Sequence, residues 1–171
     1  MATAGKKSSS LELAQAPDGQ SFRIGIACAQ WNEDITEKLL EGTLNTLLEK
    51  GVREENIRLY FCPGAFELPL TSQWLLEDGM DGVIAIGSVI QGETRHFEFV
   101  CNGVTQGIMD LNLKFGKPVI FCVLTDETHA QAKERSGGKH GNKGIDSAIA
   151  LLKMLGMRQT THKGRISSKK R

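Results

Sequence analysis

Apolar positions along the chain alternate between a strand-like and a helix-like period. Phe22 to Ala29 is a nearly unbroken apolar run, which predicts a strand. Residues 34–50 then place Ile35, Leu39, Leu40, Leu44, Leu47 and Leu48 at spacings of three and four, a helical face ended by Gly51. Ile57 to Cys62 reads as the next strand, stopped by Pro63-Gly64, and a helix follows over 66–77. Asp81 to Gly87 is so continuously apolar that it suits a strand covered on both faces. Phe97, Val100, Val104, Ile108, Leu111 and Phe115 mark a further helix, and Pro118 opens a strand over 119–124. A short helix at 129–135 and an amphipathic one through Ile145, Ala148, Ile149, Leu152 and Leu155 complete the pattern.

Four strands, each followed by a helix, imply parallel pairing through right-handed crossovers. The expected fold is a three-layer αβα sandwich around a four-stranded parallel sheet. At 171 residues there is room for one such domain, over 21–156, with an N-terminal extension (1–20) and a C-terminal tail (157–171). In an open parallel sheet the ligand crevice lies beyond the carboxyl ends of the strands. Those ends carry Gln30-Trp31-Asn32, Pro63 to Glu67, Gly87 to His96, and Thr125. The polar and glycine-rich segments thus converge on one edge.

Composition narrows the function classes. Hydrophobic residues at 40% and charged residues at 24% are ordinary globular values. No apolar run approaches the length that crosses a bilayer, and Met1 to Ser10 lacks a signal-peptide core, so a cytoplasmic protein without a membrane partner is expected. From Arg158 onward there are six basic residues and no acidic ones, leaving 15 basic against 20 acidic over residues 1–157. The domain itself therefore offers no basic face, and no nucleic-acid partner is expected. Cys28, Cys62, Cys101 and Cys122 show no C-x-x-C spacing and no ligand spacing with the four histidines, so reduced core thiols and no metal site are expected.

Each candidate site residue admits two readings. Gly87 to Thr94 precedes a helix, where glycines and free N–H groups favour an anion, yet an ordinary strand–helix turn looks the same. It is not a P-loop, because the G-x-x-x-x-G-K-[ST] spacing is absent. His96, in the first turn of that helix, can take and return a proton near neutral pH, or serve as a surface residue. Trp31 offers a stacking face for a flat heterocycle, or packs on a neighbouring loop. Glu67 can hold a polyol or cap its own helix. Arg135 and Lys143 can grip phosphate, or stand as solvated loop charges.

Taken together, the motifs resemble those of the 6,7-dimethyl-8-ribityllumazine synthase family. The matching segments are Trp31-Asn32, Pro63 to Pro69, Gly87 to Phe97, Pro118 to Thr125, Gln131 to Gly137 and Gly141 to Gly144, in the family's order. The resemblance implies a flavodoxin-like fold and a condensation of 5-amino-6-(D-ribitylamino)uracil with 3,4-dihydroxy-2-butanone 4-phosphate. An imine forms, phosphate is eliminated, and ring closure gives the lumazine. It implies no cofactor, pentamers, and, from the short segment between Arg135 and Lys143, a hollow shell of about 60 subunits.

Carried over by position, Trp31 would stack on the pyrimidinedione, where many members have Phe. Asn32, Glu67 and Lys143 would hold the ribityl chain, and Ala65, Phe66, Val89 and Ile90 would frame the ring. Gly92, Glu93, Thr94 and Arg135 would bind phosphate, and His96 would shuttle protons. Phe121, Arg135 and Lys143 would come from the neighbouring subunit. Gln91 stands where Arg or Lys is common, and Cys122 where Gly is usual. A flavin- or lumazine-binding module, or a structural shell without turnover, is the alternative.

Overall fold

The computed structural model describes residues 13–163, the side chains of 161–163 excepted. Ile24–Ala29 forms β1, buried on both faces along its whole length. Asn32 turns the chain with a left-handed backbone (φ 59°) into α1, Glu33–Glu49, whose first turn carries Glu33 and Asp34 at the positive end of the helix dipole. Gly51, at φ 83°, closes that helix while the Val52 N–H donates back to the Leu47 carbonyl. Strand β2 (Ile57–Cys62) leads through a 3₁₀ turn, Ala65–Glu67, into α2 (Leu68–Glu77). Then come β3 (Gly82–Ile90), α3 (His96–Phe115), β4 (Val119–Asp126) and α4 (His129–Arg135). A small hairpin, β5 (Ser136–Gly138) and β6 (Gly141–Asn142), precedes α5 (Lys143–Lys163).

The main sheet runs β2-β1-β3-β4, all parallel, as the alternating pattern predicts. Side chains alternate across it, and that alternation builds two cores. Ile24, Ile26, Ile84 and Ile86 face Leu39 and Leu47 of α1 and Leu151 and Leu152 of α5. Ala27, Val83, Ala85 and Val123 face Leu68 and Leu75 of α2 and Val104 and Ile108 of α3. The three-layer, flavodoxin-like arrangement follows from these two buried faces. Among the described residues no helix is long and apolar enough to cross a membrane.

Three elements differ from the pattern's expectation. β3 continues past Gly87 to Ile90, because β4 also runs on and supplies Thr125 and Asp126 as partners for Val89 and Ile90. The turn is thereby confined to the few residues before His96. The hairpin at 136–142 is too short to show a period of its own. At the end, α5 extends to Lys163, so the first part of the basic tail is helical, while Arg165, Lys169, Lys170 and Arg171 lie outside the described residues. Ala16 is buried in the first core, and a Cβ on Gly156 would strike Pro17, so the end of the N-terminal extension lies against α5.

Candidate functional site

A cavity of about 740 Å³ opens over the carboxyl ends of β1 and β3. This is the point where the strand order reverses, the general place for a ligand in an open parallel sheet. Trp31, Asn32, Ala65, Phe66, Glu67, Val89, Ile90, Gly92, Thr94 and His96 line it together. Gly64, Ser88, Phe97, Phe99 and Val100 line it too.

Local geometry explains how each wall is held. Gln30 and Trp31 donate their N–H groups to the carbonyls of Cys62 and Pro63 (2.8 and 3.1 Å), prolonging the β1–β2 ladder and projecting a Trp31 ring that is 72% exposed. Asn32 donates from Nδ2 to the Ser88 carbonyl at 2.8 Å, fastening the end of β1 to that of β3. Phe66 is exposed on the cavity wall, and its ring occupies the place a Cβ on Gly103 would need, 2.6 Å away. Glu67 accepts the Gly64 N–H at Oε2 (3.0 Å), so it caps its own turn. Its Oε1 takes no hydrogen bond among the described residues, so capping and ligand binding are compatible.

The phosphate candidates sit where β3 passes into α3. The Gln91 N–H donates to the Asp126 carbonyl (2.9 Å), which ends the ladder and starts the turn. A Cβ on Gly92 would meet nothing within 4 Å, so the backbone there faces open space. The His96 N–H donates to Thr94 Oγ1 at 3.4 Å, and His96 opens α3 with its ring on the cavity. Phe97 and Val100, which share the spacing of the helix's core face, line the cavity, and the fully buried stripe begins only at Val104.

Four expected residues lie elsewhere. Glu93 is exposed and outside the cavity. Phe121 stands on the edge strand β4, 38% exposed. The Arg135 guanidinium, half-buried, pairs with Asp126 Oδ1 at 3.4 Å and donates from Nη1 to the Gln131 carbonyl at 3.0 Å. Lys143 Nζ pairs with Asp146 at 2.6 Å. None of Phe121, Arg135 or Lys143 reaches the cavity of its own chain. Helix α4, which carries Arg135, is tied back to α1 where Asp34 meets His129 (3.1 Å) and Lys133 (3.5 Å). The hydrogen bond from His129 is the main cause holding the Asp34 carboxyl below the usual range.

Sequence reasoning did not single out Ser88 or Asp126. Both are buried, and the Ser88 hydroxyl and Asp126 Oδ2 take no hydrogen bond among the described residues. Ser88 lies within the Gly87 to Thr94 stretch but carried no role of its own there, and Asp126 lies just outside the Pro118 to Thr125 segment; burial is what marks them. The four cysteines are free thiols, and burial pushes those of Cys28 and Cys122 up to about 12. Among the described residues no group of three His, Cys, Asp or Glu gathers to hold a metal.

Comparison with known proteins points to the same family. A family model described as 6,7-dimethyl-8-ribityllumazine synthase matches residues 21–159. A protein of that name from Cytophaga hutchinsonii is 53% identical over 156 residues, 91% of this chain and 98% of the relative. Those from Porphyromonas gingivalis and Christiangramia forsetii are 52% and 48% identical, covering 92% and 93% of this chain and 98% and 96% of the relatives.

Proposed function

The chain belongs to the 6,7-dimethyl-8-ribityllumazine synthase family, and from that premise we propose that its active site is the cavity of one subunit completed by Phe121, Arg135 and Lys143 of the next. It is a transferase of riboflavin biosynthesis that condenses 5-amino-6-(D-ribitylamino)uracil with 3,4-dihydroxy-2-butanone 4-phosphate, releasing phosphate and water. The observation that carries the shared-site reading is the division of residues: ten of the expected ones gather in one cavity, while the two cations needed for phosphate and ribityl chain are turned away from it.

The chemistry maps onto the cavity as follows. Trp31 stacks on the pyrimidinedione, with Phe66, Val89 and Ile90 closing the apolar surround. Asn32 Oδ1 and Glu67 Oε1, the atoms left after scaffolding, accept from the ribityl hydroxyls. The turn at Gly92 to Thr94 and the neighbour's Arg135 hold phosphate, the guanidinium by paired N–H bonds. The substrate amine attacks the ketone carbon, and loss of one water gives the imine. His96 removes a carbon-bound proton as the C–O bond to phosphate breaks, and phosphate leaves with that electron pair. The enol then takes a proton back and becomes a ketone. Attack by the second nitrogen and loss of a second water close the ring. No step calls for electron transfer.

Assembly follows from the same reading. Phe61, Leu70, Trp74, Phe99, Met109 and Leu113 are each more than half exposed, large apolar side chains whose burial between subunits would be favourable. We assign it to contacts within a pentamer, and the compact hairpin between α4 and α5 leaves room for pentamers to close into a shell. Four free thiols fit a reducing, cytoplasmic setting. The test is the two-substrate reaction: phosphate release and lumazine fluorescence must both rise above the uncatalysed background. A protein that binds lumazine without raising either signal is a binding module, and the assignment fails.

A further inference from the structure

We infer that Asp126 is a positioning residue for Arg135, holding the guanidinium in the direction the adjacent subunit's phosphate needs. The inference rests on the assignment of Arg135 to phosphate made above. Asp126 is the last residue of β4 and is 7% exposed. Its Oδ1 lies 3.4 Å from Arg135 Nη1, and the same nitrogen donates to the Gln131 carbonyl at 3.0 Å. The Gln131 carbonyl by a hydrogen bond and the Asp126 carboxylate by charge hold the same nitrogen, and so restrain a group whose value in binding phosphate lies in its flat, forked geometry. Nη2 and Nε are left as the edge that can form a paired contact.

The backbone of Asp126 has a second engagement. Its carbonyl accepts the Gln91 N–H at 2.9 Å, directly before Gly92. One residue therefore anchors the start of its own chain's phosphate turn and the cation lent to the next site. Ile90 lies beside it in the sheet register, so this anchor is part of the β3–β4 ladder and not of a loose loop.

Stability alone does not call for a carboxylate here. Oδ2 takes no hydrogen bond among the described residues, and burial raises the Asp126 carboxyl while Arg135 only partly opposes the rise. An uncharged residue of similar size would be buried at lower cost. What the carboxylate adds is direction for Arg135.

The experiment compares Asp126→Asn, Asp126→Thr, Arg135→Ala and the Asp126→Asn/Arg135→Ala double variant as assembled full-length proteins. Losing the orienting ion pair should raise the KM for the phosphorylated ketone about tenfold in both Asp126 variants, with the KM for the pyrimidine within about twofold. Inhibition by inorganic phosphate should weaken in step. In the Arg135→Ala background, Asp126→Asn should add nothing further, because its effect passes through Arg135. Equal rises in both KM values, or an undiminished effect in the double variant, overturn the inference as a merely structural role. If Arg135→Ala raises the ketone KM but both Asp126 variants do not, the inference alone falls. If Arg135→Ala leaves it unchanged, the underlying phosphate assignment falls with it.

Discussion

Asn32 Nδ2 donates to the Ser88 carbonyl at 2.8 Å, so a residue expected to touch substrate is also the clasp between β1 and β3. The same residue holds a left-handed backbone at φ 59°. Asn tolerates that conformation better than most side chains, and its amide reaches the neighbouring strand end. Asn32→Ala should therefore lose about 1–3 kcal/mol from the broken bond and the strained backbone together. Asn32→Gly should recover the backbone share only. Unfolding midpoints of the two variants measure the split, and equal midpoints would contradict it.

For His96 the expectation is a loss of rate with little loss of binding. His96→Ala should lower kcat by about 100-fold, within the range of positioned acid–base groups, with KM values changed by less than about threefold. Steady-state kinetics with both substrates reads this directly. A raised KM with unchanged kcat would make His96 a binding residue.

Gly92 separates fold from function. With nothing within 4 Å of a built Cβ, Gly92→Ala should leave the unfolding midpoint where it is. If phosphate approaches that backbone closely, the methyl group should still raise the KM for the phosphorylated substrate several-fold. Unchanged kinetics would remove Gly92 from the phosphate site.

The buried thiols set an alkaline limit. Burial raises Cys28 and Cys122 from an ordinary 9.0 to about 12 in the fold. The folded chain thus favours the protonated thiol, and the stability this confers is full below pH 9. It is lost as pH climbs from 9 towards 12, where the unfolded chain ionises first. Stability measured from pH 8 to 11 should fall more steeply in the parent than in Cys122→Ala. Parallel curves would contradict the assignment.

How far the chain could be read depended on what kind of signal each residue carried. Asp81 to Gly87 announced a doubly covered strand by continuous apolarity, and β3 is one. Its continuation through Ser88 to Ile90 was hidden, because that length is decided by pairing with Thr125 and Asp126. Phe97 and Val100 carry the same helical spacing as Val104, and period alone does not tell a cavity wall from a core. For Glu67 the cap and the ligand role looked like rivals; the Gly64 N–H takes one oxygen and leaves the other. Asp126 was invisible for the opposite reason: its part comes from burial beside Arg135, nine residues along the chain and brought near only by the fold.

Sharing of the site between subunits is open to a direct test by complementation. His96→Ala and Arg135→Ala proteins, assayed at a ketone concentration far below the Arg135→Ala KM so that each should be nearly inactive alone, are unfolded, mixed in equal amounts and reassembled. If each cavity takes its Arg135 from the neighbour in a cyclic ring, random mixing makes about a quarter of the sites fully intact. Activity should then return to about a quarter of the parent value treated the same way. A mixture no more active than its two components, with mixed rings shown to have formed, would place Arg135 and His96 in the same subunit's site and contradict the account.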